Sequence, residues 1–172
     1  MAKGPLTLLS QLDALVVKTH HLIYERSIHR KLPPEIFKWK IHDTYTGGVP
    51  DVMYGGPSGI LFAEYKYVPK LPARDSTLIK TTLAPLQIQW LNRMISCNQK
   101  ACVIVGIEKH ALILLANSFT TNITKRYYIE HRVSISQLRD WICSQVLIGA
   151  TQNECVTQTN NRSQPPAYME RS

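Results

Sequence analysis

The sequence predicts an α/β fold in which a mixed β-sheet is flanked by helices in the order αβββαβ. Three observations carry that expectation. A helical apolar stripe is followed by three short strand-like segments, and Gly-rich turns separate two of these. A second helix then starts at a proline. The segment 101–107, Ala-Cys-Val-Ile-Val-Gly-Ile, is almost wholly apolar and reads as a strand buried on both faces.

Each element has a local reason. Over residues 6–32, Leu8, Leu9, Leu12, Leu15, Val16, Ile23 and Ile28 recur at helical spacing, and Pro33-Pro34 ends the helix. Residues 36–42 alternate, with Ile36, Trp39 and Ile41 among polar neighbours, and Gly47-Gly48 closes a turn. Strands over 49–54 and 60–68 enclose Gly55-Gly56-Pro57-Ser58-Gly59, so they read as a hairpin. A loop over 69–82 leads to a helix over 85–97, and a further strand is expected at 111–116. Ser134 and Gln137 form a capping box before an amphipathic helix over 135–148. Residues 1–150 read as one domain, and 151–172 as a polar, disordered tail.

The bulk composition narrows the function classes. No apolar run reaches the roughly 20 residues of a membrane span, and no leader-like segment opens the chain, so a soluble cytoplasmic protein is expected. Cys97, Cys102, Cys143 and Cys155 form no CxxC pair or zinc spacing; three lie in apolar surroundings and read as free buried thiols, with a disulfide as the less favoured alternative. The net charge of +8, from 20 basic and 12 acidic residues, favours a polyanionic partner.

The residues that carry chemistry sit on the hairpin. Side chains alternate along a strand, so Ile60, Phe62, Glu64 and Lys66 share one face. The apolar half can enter the core while the charged half emerges beside the strand carrying Asp51. Two close carboxylates repel and raise one another's pKa, which a divalent cation relieves. Oxygen ligands with incomplete protein coordination suit magnesium, with manganese as a substitute. A solvated strand end would carry the same Glu-Lys pair. The apolar start of this strand and its aromatics on both faces argue for a site instead.

Gly-Val-Pro-Asp at 48–51, Ala-Glu-Tyr-Lys at 63–66 and Leu-Ala-Pro-Leu-Gln at 83–87 resemble the VRR-NUC branch of the PD-(D/E)xK nucleases. That branch looks related to Holliday junction resolvases. The resemblance covers about residues 20–107. It implies a restriction-endonuclease-like core and a magnesium-dependent endodeoxyribonuclease. Asp51 and Glu64 would be metal ligands, Lys66 the catalytic lysine, and Gln87 a glutamine of the following helix that also serves catalysis. It also implies a glutamate on the first helix, as a catalytic and metal-binding residue, for which Glu25 matches better than Asp13 or Glu35. The family's Val-Arg-Arg motif is missing, since Val105-Gly106-Ile107 stands in that region. Other PD-(D/E)xK branches therefore stay open, phage junction-cleaving nucleases among them.

On the residues alone, Gln87 flanks the apolar face of Trp90, Leu91 and Met94, so it either reaches a strand-end site or is a satisfied structural amide. Lys38, Lys40, Lys70, Arg74 and Lys80 are candidate phosphate contacts or plain surface charge. Tyr65 and Tyr67 face away from Glu64 and are expected to pack under a helix. His42 lies just before the turn, where it either approaches the site or is structural. The expected partner is branched DNA, cut by a homodimer, because C2 dimers suit two-fold substrates. The alternatives are a sequence-specific restriction-type endonuclease and a catalytically silent nucleic-acid-binding module. Substrate comparison separates the first from a junction enzyme, and magnesium binding separates the second.

Overall fold

The computed structural model describes residues 8–43 and 45–147, so the tail expected over 151–172 lies outside them. The elements are α1 (Leu8–His29), β1 (Phe37–Lys40), β2 (Val52–Gly56), β3 (Gly59–Tyr67), α2 (Pro85–Ser96), β4 (Lys100–Ile107), β5 (His110–Leu114), a 3₁₀ turn (Ala116–Ser118), α3 (Lys125–His131), β6 (Val133–Ser134) and α4 (Ile135–Val146). The order αβββαβ holds through β4, and the molecule is an α/β fold with helices on both faces of a mixed sheet. Among the described residues six strands lie in the order β1-β2-β3-β4-β5-β6. Only β3 and β4 run parallel, with Glu64 opposite Val103, and the other neighbours are antiparallel. A parallel pair needs a crossover, and α2 supplies it.

Alternation along β4 divides the core in two. Cys102 and Ile104 join Tyr54, Ala63 and Tyr65 beneath α1 and α4, packed against Ile28, Leu138 and Ile142. Val103, Val105 and Ile107 turn the other way, towards Leu91 of α2 and Tyr128 of α3. Every residue from Ala101 to Ile107 is buried, as a strand covered on both faces requires.

The helical stripe expected on α1 is corrected. Leu15, Val16 and Ile23 are exposed, while Tyr24, Glu25 and Ile28 face the protein. The cause is the seat of Tyr24. Its hydroxyl donates to the His110 carbonyl at 2.8 Å, and its ring lies over Gly106, where a Cβ would meet ring carbons at 2.5 Å. This contact fixes the rotation of the helix and turns Ile23 outward. The helix also stops at His29 rather than 32, because its end tightens. Lys31 N–H bonds to the Ile28 carbonyl and Leu32 N–H to the His29 carbonyl, and Leu32 precedes a proline.

Other boundaries shift by a few residues. The hairpin turn is only Pro57-Ser58, since Gly55 and Gly56 pair with Ile60 and Gly59. The capping box of α4 forms, with Ser134 N–H donating to Gln137 Oε1 at 2.8 Å and Gln137 N–H to Ser134 Oγ at 3.2 Å. Cys102 and Cys143 are buried, Cys97 is exposed, and Cys155 lies outside the described residues. Among the described residues no helix is long and apolar enough to cross a membrane.

Candidate active site

The site forms where the start of β2, the second half of β3 and the start of α2 meet. Val52 pairs with Ala63, so one further step of the register sets Asp51 opposite Glu64. Asp51 is fixed twice. Its carbonyl accepts from Ile41 N–H at 2.8 Å, and its Oδ2 accepts from Tyr65 N–H at 2.8 Å. The preceding turn needs Gly48, whose φ is +86°. A side chain there would also strike the backbone of Leu86 in the first turn of α2. The missing side chain thus lets the Asp51 segment sit against the helix that carries Gln87.

Gln87 is the third residue of α2, and its side chain turns back over the helix start. Its Oε1 accepts from Ala84 N–H at 3.0 Å and from Lys66 Nζ at 3.1 Å. With both donors on the oxygen, the amide nitrogen faces Glu64 and donates to Oε1 at 2.5 Å. Lys66 Nζ reaches that same Glu64 oxygen at 2.9 Å. One amide therefore holds the carboxylate and the ammonium together.

Glu64 is 2% exposed, and its Oε2 is buried with no hydrogen-bond partner among the described residues. Burial first, and then the charge of Asp51, push its pKa up to about 7, against the pull of Lys66 and Gln87. Asp51, Glu64, Lys66 and Gln87 are thus brought together on one face of the sheet.

The structure sets Glu25 apart. It is buried on α1, over the opposite face, where Lys40 Nζ approaches its Oε2 at 2.6 Å and His29 Nδ1 its Oε1 at 3.9 Å. Among the described residues no three His, Cys, Asp or Glu side chains converge as a metal site. The seat of Tyr24 that rotates α1 also decides where Glu25 points. Of the basic candidates, Lys38 pairs with Tyr54 and Lys40 with Val52, so both belong to the α1 face, whereas Lys70, Arg74 and Lys80 are exposed in the loop between β3 and α2. Tyr65 packs beneath α1, its hydroxyl 2.6 Å from that of Tyr54, and Tyr67 lies beside Tyr24, as their place on the strand predicts.

Sequence reasoning missed a cavity of about 570 Å³ next to this group. Trp39, His42, Val49, Phe62 and Trp90 are part of its wall. The available signal was the strand alternation that sets Phe62 two residues before Glu64 on the same face.

No family model and no curated protein matches the chain. Among solved structures it is similar to that of Archaeoglobus fulgidus Hjc, described as a Holliday junction resolvase from an archaeal hyperthermophile. The two are 14% identical with a TM-score of 0.47, over 70% of this chain and 95% of the other.

Proposed function

We propose that this chain is a magnesium-dependent endodeoxyribonuclease that hydrolyses phosphodiester bonds of branched DNA. The observation that carries this reading is Glu64, a buried carboxylate whose Oε2 lacks a partner, beside a second carboxylate on Asp51. Removing a carboxylate from water is strongly unfavourable unless a charge or donors compensate it. Lys66 and Gln87 compensate one oxygen, and a divalent cation held by Asp51 and Glu64 would compensate the other. Two carboxylates leave most of an octahedral shell to waters and phosphate oxygens, as magnesium prefers.

Magnesium held there would polarise the phosphodiester and lower the pKa of a water. The chain's own residues supply the rest. Asp51 and Glu64 would hold the cation, with Asp51 oriented by the Tyr65 amide. Lys66 presents its ammonium to the charge that develops on the phosphate. Gln87 is a positioning residue that fixes Glu64 and Lys66 relative to each other. Branched DNA is the substrate class implied by the resemblance of the 48–51, 63–66 and 83–87 segments to the VRR-NUC branch, which looks related to Holliday junction resolvases. A two-fold homodimer would match the symmetry of a four-way junction.

The test compares a labelled four-way junction with linear duplexes of the same arm sequences, in magnesium. The junction should be cut at least about tenfold faster, a preference on the order of 1.4 kcal/mol. Equal cleavage at a defined duplex sequence would replace this reading with a restriction-type enzyme.

A further inference from the structure

We propose that the aromatic cavity beside Glu64 holds an unpaired base of the DNA strand that enters the site, an inference that rests on the nuclease reading. Each segment of the candidate site contributes to its wall. Val49 lies two residues before Asp51, Phe62 two before Glu64, and Trp90 three after Gln87. A strand that presents a phosphate to Lys66 therefore runs directly past this wall. The cavity of about 570 Å³ falls within the range of small-ligand sites, roughly 300–1,000 Å³.

The wall suits a flat, aromatic guest. Trp90 meets Phe62 edge-on with ring centroids 4.9 Å apart, while Trp39, on the edge strand β1, remains 52% exposed. Tyr45 in the adjoining turn is 98% exposed. Large aromatics left open beside a site that presents the Lys66 ammonium form a stacking platform for unpaired bases, which every base can use because each has a π-face. Charge agrees with this guest. The net charge is +8, which favours a polyanionic strand. Asp43, also in the wall, turns its Oδ1 to the Tyr45 and Thr46 amides at 2.7 and 3.0 Å. A second copy of the chain is the competing occupant. β1 discourages it, because two of its four residues are lysines, which oppose strand-to-strand addition at a sheet edge.

The experiment uses the full chain in EDTA, so that no cleavage occurs. An oligothymidylate of about twelve nucleotides, long enough for a single-strand site, is titrated against it. Affinity is read by anisotropy and stacking by quenching of tryptophan fluorescence. Trp39→Ala should weaken oligothymidylate binding by roughly 5- to 100-fold, the range of base–aromatic stacking. Trp39→Phe should restore most of it, and affinity for a blunt duplex should stay within about twofold, because a paired base offers no free face. Unchanged oligothymidylate affinity in Trp39→Ala would overturn the proposal. A shift of Trp39→Ala from dimer to monomer in sedimentation, with DNA binding intact, would also overturn it and assign the cavity to a second copy. Quenching that depends on Trp39, in a protein that cuts no DNA in magnesium, would support the stacking site and remove the nuclease reading.

Discussion

In the proposed reading, Glu64 is where chemistry and stability conflict. Its pKa stands at about 7 against an ordinary 4.5, so in that window the folded chain binds a proton that the unfolded chain has released. Stability therefore falls as pH rises from about 4.5 to 7 and stays reduced above it. Glu64→Gln keeps the shape and removes the charge. In EDTA it should raise Tm at pH 8 by at least about 3 °C, on the order of 1 kcal/mol. At pH 4.5 the gain should vanish, and differential scanning calorimetry at the two pH values checks both. Magnesium must recover this loss if it binds at Glu64, so Tm of the unmutated chain at pH 8 should rise with added magnesium while that of Glu64→Gln should not. Gln87 acts through its neighbours. Gln87→Ala leaves Glu64 and Lys66 held only by each other, and residues that orient metal ligands typically affect metal affinity or activity by 10- to 100-fold. A loss of that size in magnesium affinity by isothermal titration, with Tm nearly unchanged, is the expected result.

At the scale of elements, the site depends on how tightly three segments meet. Gly48 joins the Asp51 turn to the first turn of α2. Gly48→Ala would strain a positive-φ position, by about 1 kcal/mol or more, and push Leu86 away. The variant should keep its circular dichroism spectrum and lose most of its cleavage, because Asp51 and Gln87 would no longer share one frame. The same elements show what was legible in the sequence. The hairpin was readable because a two-residue side-chain period fixes which residues share a face, and this set Asp51, Glu64 and Lys66 together. Gln87 was readable as a polar residue flanking an apolar helical face, although its two roles stayed open. Glu25 was not readable in the same way. Which side of α1 faces the sheet depends on Tyr24 resting on Gly106, a contact between residues 82 positions apart that no local pattern contains. The stretch after β5 was illegible for another reason. α3 has seven residues and only Tyr128 fully buried, and β6 has two residues, so neither provides enough repeats for a period to emerge.

For the whole molecule, the sheet separates two environments. One face, under α1 and α4, is mostly apolar and structural, with a polar group of Glu25, His29, Lys40 and Tyr54 at its edge. The other carries Asp51, Glu64, Lys66 and Gln87 beside the aromatic cavity, while Lys70, Arg74 and Lys80 stand exposed on the loop that links β3 to α2. The overall charge was legible from composition, but its distribution was not, since Lys40 is held by Glu25 rather than left free for phosphate. The most direct test of the central claim is single-turnover cleavage of a labelled four-way junction, with magnesium or EDTA, by the unmutated chain and by Lys66→Ala. The predicted result is cleavage that requires magnesium and falls at least about 100-fold in Lys66→Ala, the scale of removing one charge-stabilising donor, while junction binding persists. Magnesium-dependent cleavage that survives in Lys66→Ala, or intact junction binding with no cleavage in magnesium, would contradict it.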